Sequence, residues 1–101
     1  MILEAALLHI KAGLGAEFEV AFAQASKLIA AAPGYLGHEL QRCLEHDDKY
    51  LLLVRWTSVE AHQQGFRQSA DYLEWKQSLH HFYQPFPIVE HFSQVYPPPP
   101  G

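Results

Sequence analysis

The 101-residue chain contains no asparagine and only one cysteine. The first absence excludes any chemistry that depends on an asparagine carboxamide. The lone Cys43 cannot form an internal disulfide, which fits a reducing cytoplasm. Basic residues are also scarce, with seven Lys and Arg against eleven Asp and Glu and a formal charge of −4. No basic run occurs, so the composition argues against nucleic acid or an anionic membrane as the main partner.

Long hydrophobic runs are missing as well, since none approaches the ~18 residues of a membrane span. The N-terminus has no basic lead and no small-residue cleavage site, so we expect a cytoplasmic protein. Hydrophobic residues make up 49% of the chain and charged residues 18%, which predicts a folded domain. We expect one domain over residues 1–96, followed by a disordered proline-rich tail over residues 97–101.

The periodicity of the apolar residues predicts six main elements. An apolar run predicts the first strand, helical spacing predicts the first helix, and the polar turn His46-Asp47-Asp48 predicts a hairpin between the second and third strands. The predicted strands cover residues 2–10, 35–45, 49–56 and 88–95, and the predicted helices cover 14–32 and 58–67, with a second helical piece from Ser69.

Short signals mark the ends of the helices. Pro33-Gly34 is typical of a helix stop, and Pro85 and Pro87 end the second helical region. Thr57 and Glu60 have the spacing of a capping box, in which each side chain accepts the other residue's amide. Ser69 is predicted to cap the second helical piece.

The resulting order β-α-β-β-α-β predicts a ferredoxin-like α+β fold. Right-handed crossovers give a four-stranded antiparallel sheet with both helices on one face. The other face of the sheet is left bare, and the first and third strands are apolar on both faces. Because a bare apolar sheet is unfavourable in water, we expect a homodimer in which two such faces pack together.

Four segments of the chain carry a resemblance to a known family. They are Pro33-Gly34-Tyr35, the run LVRWTSVEA at residues 53–61, the run FRQSADYLEW at residues 66–75, and the run PIVEHF at residues 87–92. Together these segments resemble the antibiotic biosynthesis monooxygenase (ABM) domain family, over about residues 1–95. The resemblance implies a dimeric α/β barrel with a pocket between sheet and helices in each subunit. Some relatives are cofactor-free oxygenases of polycyclic phenols, others act on quinols, and others degrade haem.

The catalytic positions known in the family carry over incompletely. In haem-degrading relatives the first-strand Asn corresponds to Ala6, and the iron-binding His falls close to Trp75. Aromatic oxygenases of the family also use an Asn, together with a Trp and a Tyr. Trp56, Trp75 and Tyr72 could supply those aromatic groups, but the chain has no Asn to offer. The resemblance therefore implies the scaffold, with an active site that differs from those known.

Three residues are candidates for a general base. Glu4 lies in the middle of an apolar strand, and burial would raise the pKa of its carboxyl. His38 and His91 lie on strands, and imidazole titrates near neutral pH. The alternative for Glu4 is a structural pair with Arg55, Arg42 or a histidine in the dimer interface, and for either histidine it is an exposed or interface position.

Five residues are candidates for substrate binding. They are Trp56, Phe66, Tyr72, Trp75 and Arg55, of which the four aromatic residues could form the wall of a pocket for a flat ring. Their alternative role is core packing. Neighbouring His80 and His81 point about 100° apart on a helix and predict no metal site. By analogy with the family alone, His80 could be a displaced haem ligand.

These residues favour a cofactor-independent monooxygenase that acts on a small aromatic phenol or quinol. We expect no cofactor and no metal, and no phosphate-binding or nucleophile-elbow motif occurs. The alternatives are a non-catalytic binding or sensing module on the same scaffold, and another reaction such as isomerisation or haem handling. A pocket that holds a buried titratable group beside the aromatic residues would favour an enzyme.

Overall fold

The computed structural model describes residues 1–100 and contains the predicted elements in the predicted order. Four strands and two α-helices are joined by short turns. The strands are β1 (Ile2–His9), β2 (Tyr35–Arg42), β3 (Lys49–Trp56) and β4 (Val89–Phe92), and the helices are α1 (Gly15–Ala30) and α2 (Ala70–Leu79). The fourth strand is half the predicted length, because the chain pairs with β1 only over Val89–Phe92.

The four strands form one antiparallel sheet in the order β2-β3-β1-β4, with both helices on one face. This is the predicted ferredoxin-like arrangement. Side chains alternate across the sheet, so the even-numbered residues of β1 and β3 pack under the helices. The core comprises Ala6, Leu8, Ile10, Phe18, Phe22, Ala25, Ile29, Tyr50, Leu52, Val54, Trp56, Phe66, Trp75, Leu79 and Phe82. No helix within residues 1–100 is long and apolar enough to cross a membrane.

The segment between β3 and α2 differs from the predicted single helix. It contains a wide π turn (Ala61–Gly65) and a 3₁₀ turn (Phe66–Gln68). The predicted capping box is also wrong by one residue: the Thr57 amide donates to the Gly34 carbonyl (2.8 Å), and Ser58 Oγ accepts the Ala61 amide (3.1 Å). The contact with Gly34 removes the donor that Glu60 would need. Ser69 does cap α2, as its hydroxyl accepts the Tyr72 amide.

The first turn of α1 is capped by a side chain from the turn between β2 and β3. Leu14, at the N-cap position, has no side chain able to accept an amide. Asp48, in the β2–β3 turn, accepts the amides of Gly13 (3.0 Å) and Gly15 (3.2 Å) instead. Its positive φ of 61° lies in the left-handed region that Asp tolerates. A side chain that is distant in sequence thus takes the place of an N-cap side chain.

The face of the sheet away from the helices is apolar and open. Leu7 and Phe92 are each half exposed, and Ile88 is 79% exposed beside them. Leu51 and Leu53 of β3 lie on the same face and are only partly buried. The apolar side chains on this face agree with the prediction that the first and third strands are apolar on both faces.

Candidate active site

A narrow cavity opens between β1, the π turn, α2 and the segment that leads into β4. Its water-accessible volume is about 40 Å³, which is room for a few water molecules. Polar and aromatic side chains share its wall. The lining residues are Glu4, Ala6, Leu8, Ile29, Leu52, His62, Phe66, Arg67, Tyr72, Trp75, His80, Tyr83, Phe86, Pro87 and Val89. We call it the Glu4 cavity.

Glu4 is the buried carboxylate of this cavity, with only 5% of its surface exposed. It lies on β1 among apolar side chains, and its even position turns it toward the helices. The Trp56 indole Nε1–H donates to Glu4 Oε1 at 2.8 Å. Burial raises the pKa of the Glu4 carboxyl, and the Trp56 hydrogen bond and the Arg67 charge oppose that rise only in part. The pKa therefore moves toward the range in which a carboxylate can accept a substrate proton.

His62 is the second buried polar group and contacts Glu4 directly. The π turn places its Nε2 3.4 Å from Glu4 Oε1, and its ring is 4% exposed. Burial, reinforced by the charges of Arg67 and His91, lowers the pKa of His62 to about 4. The imidazole is therefore neutral near pH 7, so its contact with Glu4 is polar rather than an ion pair.

His91 completes a line of three polar residues. It pairs with Glu4 across β1 and β4, so both side chains lie on the helix side of the sheet. Its Nε2 lies 2.9 Å from His62 Nδ1. Unlike the other two, it is only partly buried.

The aromatic wall consists of three predicted residues that meet edge to face. The Phe66 ring lies 5.5 Å from Tyr72 and 5.7 Å from Trp75, both nearly perpendicular to it. Such contacts hold the rings in fixed orientations. Trp56 lies behind this wall, where it stacks on His62 and holds Glu4.

Two of the predicted site residues lie away from the cavity. His38 is on the outer strand β2, where the Tyr35 hydroxyl contacts its Nδ1 and Phe22 packs against its ring. The strand β3 separates it from Glu4. Arg55 is exposed on the opposite face of the sheet, so neither it nor Arg42, which pairs with Glu19 at 2.6 Å, is the partner of Glu4. The structure thus brings together Glu4, His91 and the four aromatic residues but not His38 or Arg55.

His62, Arg67 and Tyr83 were not among the residues singled out from the sequence. A signal for His62 was available, because Val59, His62 and Phe66 share one face at helical spacing. A histidine on such a face is expected to be buried. Tyr83 follows the 3₁₀ turn His80–Phe82 and pairs with Ile10. Burial raises the pKa of its hydroxyl, which keeps it neutral.

The cavity lacks the two side chains that haem-degrading relatives use. The resemblance puts Ala6 at one of those positions and Trp75 close to the other, and neither side chain can bind iron. His80 lies in the wall, and its Nδ1 is enclosed without a hydrogen-bond partner. Within residues 1–100 no three His, Cys, Asp or Glu side chains are placed to hold a metal ion.

Residues 1–78 match the family profile of the antibiotic biosynthesis monooxygenases. The chain belongs to this family. A Bacillus subtilis (strain 168) relative, the uncharacterized protein YczJ, is 56% identical over 95 residues, covering 94% of this chain and all of the relative. A mycobilin-producing heme oxygenase of Mycobacterium tuberculosis is 34% identical over 56 residues, covering 55% of this chain and 53% of that enzyme.

Solved structures of the family share the fold of this ABM chain. A Bordetella bronchiseptica protein assigned to the antibiotic biosynthesis monooxygenases superposes with a TM-score of 0.89 and 37% identity, covering 93% of this chain and 96% of that one. SnoaB, a cofactor-independent oxygenase from Streptomyces nogalater, gives a TM-score of 0.81 at 23% identity, covering 95% and 96%. At that identity the likeness to SnoaB shows the fold alone.

Proposed function

We propose that this protein is a cofactor-independent monooxygenase that oxidises a small, electron-rich phenol or quinol in the Glu4 cavity. The observation that carries the proposal is a buried carboxylate beside a buried neutral imidazole, in a cavity that is also lined by aromatic and aliphatic side chains. A site built only for binding a flat ring has no need of these two polar groups, whose burial costs free energy. Family membership and the SnoaB-like fold agree with oxygenase chemistry.

In this scheme Glu4 accepts the proton of the substrate hydroxyl. The anion that remains is electron-rich and reacts with O₂ at a ring carbon. The peroxide anion that forms takes up one proton, and loss of water from the hydroperoxide leaves a quinone, so one oxygen atom enters the ring and the other leaves as water. No external reductant is required. Phe66, Tyr72 and Trp75 hold the ring and exclude bulk water.

The cavity must widen to admit such a ring, because about 40 Å³ is well below the ~300 Å³ of a typical small-molecule site. Phe86 lies in its wall and is 58% exposed. It belongs to residues 84–88, which precede β4 and form neither helix nor strand. We expect this segment to move outward when substrate enters.

The apolar face of the sheet supports a homodimer as the working form. Burying Leu7, Ile88 and Phe92 against a second copy would remove an exposed apolar surface from water. Cytoplasmic location, and the absence of nucleic acid or membrane partners, stay predictions from composition.

The test is O₂ uptake in the presence of a panel of hydroquinones and polycyclic phenols, with anaerobic reactions as blanks. We expect uptake and quinone formation with at least one compound, and a loss of about 100-fold or more in Glu4→Gln, which keeps the size but not the base. His46→Gln, in the exposed β2–β3 turn, is the matched control. If O₂ uptake equals that of buffer across the panel while the phenols bind without being converted, the binding module is favoured instead.

A further inference from the structure

We propose that Glu4, His62 and His91 form a proton relay that carries the substrate proton from the Glu4 cavity to the edge of the sheet. The proposal rests on the proposed function for the source of the proton, but the relay itself can be observed without substrate. His62 is the central member, and it acts through Glu4 rather than on the substrate.

The geometry of His62 is that of a bridge. Its Nε2 lies 3.4 Å from Glu4 Oε1, and its Nδ1 lies 2.9 Å from His91 Nε2. A neutral imidazole carries one donor and one acceptor, so it can take a proton at one nitrogen and release another from the second. Both nitrogens of His62 face a titratable partner, and its ring is almost fully buried.

The relay gives the substrate proton an exit that does not pass the bound substrate. A substrate that fills the mouth separates Glu4 from bulk water, and Glu4 itself is only 5% exposed. His91 offers another exit. It lies on β4, the outer strand of the sheet, and is partly exposed.

The surrounding charges favour transfer over storage of the proton. The charged and titratable groups near His62 are Glu4 from β1, His91 from β4 and Arg67 from the 3₁₀ turn, while Trp56 of β3 covers one ring face without a charge. Arg67 and His91 disfavour a second positive charge at His62. A proton that reaches His62 therefore moves on rather than remaining there.

The transfer balances in two coupled steps. The substrate hydroxyl gives its proton to the Glu4 carboxylate. Glu4 then passes a proton to His62 Nε2 as the His62 Nδ1–H passes to His91 Nε2. The substrate is left as an anion, Glu4 is again a carboxylate, His62 is neutral in its other tautomer, and His91 is an imidazolium that exchanges its proton with water. The reverse transfer returns one proton to the peroxide anion and restores the first tautomer of His62.

The first experiment uses ¹⁵N NMR of the histidine rings in the ligand-free protein. We expect a single proton held between His62 Nδ1 and His91 Nε2, so that His62 is in one tautomer. His91→Gln should remove this preference for one tautomer, and His46→Gln should leave it intact. Two rings that each average over both tautomers would overturn the relay.

The second experiment measures O₂ uptake with whichever hydroquinone the wild-type protein oxidises. We expect His91→Gln to lower kcat about tenfold with KM within about twofold, and added imidazole to restore the rate. A His91→Gln enzyme with the wild-type rate, pH profile and solvent deuterium isotope effect would overturn the relay. If the wild type oxidises no phenol, the proposed function fails and the NMR result alone decides the relay.

Discussion

His62 stacks on the indole of Trp56, with ring centroids 5.3 Å apart and planes inclined by 22°. Both rings present a nitrogen to the same oxygen of Glu4, at 2.8 Å from Trp56 and 3.4 Å from His62. Two rigid aromatic groups thus fix the position of one buried carboxylate. Because the three residues come from β1, β3 and the π turn, the site is assembled by the fold rather than by a local motif.

Replacing Trp56 by Phe should raise the pKa of Glu4 further and destabilise the fold. The substitution keeps an aromatic ring but removes the N–H donor that favours the charged carboxylate. We expect a loss of about 1–3 kcal/mol in the free energy of unfolding. Carbonyl-carbon NMR titration and urea unfolding measure the two effects. Trp75→Phe is the matched control, since the indole that donates to Glu4 is that of Trp56. An equal pKa change in Trp75→Phe would contradict the assignment.

The buried His62 should make the protein less stable in acid. Its pKa is lowered from 6.5 to about 4 in the folded state, so the unfolded chain binds a proton first as the pH falls. Stability from this group is complete above pH 6.5 and is lost as the pH falls toward 4. The wild type should lose about 2 kcal/mol more than His62→Gln between pH 7 and 4, allowing for partial screening.

The measurement is urea unfolding at several pH values. Glu4 contributes in the opposite sense, because its raised pKa adds stability as the pH falls and loses it as the pH rises through the folded value. Running the comparison also in a Glu4→Gln background removes that contribution. A wild type and a His62→Gln variant with parallel pH curves would show that His62 is not held neutral by burial.

The sheet could be predicted in detail because its signals are local. Alternation in β1 places Glu4 and Ala6 on one face and Leu7 on the other, and the structure has them so. The same alternation places His91 and Glu90 on opposite faces of the sheet. The period of two residues shows which side chains share a face, but it does not show which face the helices cover.

The site was predictable only in part because its contacts are long-range. The helical spacing around His62 predicts a buried side chain, but its partners Glu4 and His91 come from strands that are distant in sequence. The capping box at Thr57 fails because the Gly34 carbonyl, 23 positions earlier, takes the amide. His38 and Arg55 lie on predicted strands, but the face that the helices cover, and the position of the cavity along the sheet, depend on how α2 and the π turn pack.

Gly34 should not tolerate a side chain. Its φ is +85°, and a Cβ there would lie 2.6 Å from the Ala61 Cβ and 2.8 Å from the Thr57 hydroxyl. Gly34→Ala should therefore destabilise the protein by about 2 kcal/mol or more and displace the turn that carries His62. Gly37→Ala is the control, because nothing lies within 4 Å of its Cβ position. Equal unfolding free energies for the two variants would contradict this account.

Asp48 should contribute to stability as the cap of α1. Removing its carboxylate leaves the amides of Gly13 and Gly15 without their acceptor and removes a negative charge from the helix N-terminus. We expect Asp48→Ala to cost about 1–2 kcal/mol in urea unfolding. The neighbouring Asp47 is exposed and accepts neither amide, so Asp47→Ala should change stability by less than about 0.5 kcal/mol. A similar loss in both variants would show that the turn, rather than the cap, is responsible.

The apolar sheet face should control self-association. We expect the wild type to have twice the 11.5 kDa mass of the chain in light scattering at micromolar concentration. Leu7→Lys places a charge in the middle of that face and should give a folded monomer, since a buried unpaired lysine is costly. Val20→Lys adds the same charge at an exposed apolar position on α1, across the molecule, and should stay a dimer. A wild-type monomer, or a dimer equally sensitive to both substitutions, would mean that this face is not the interface.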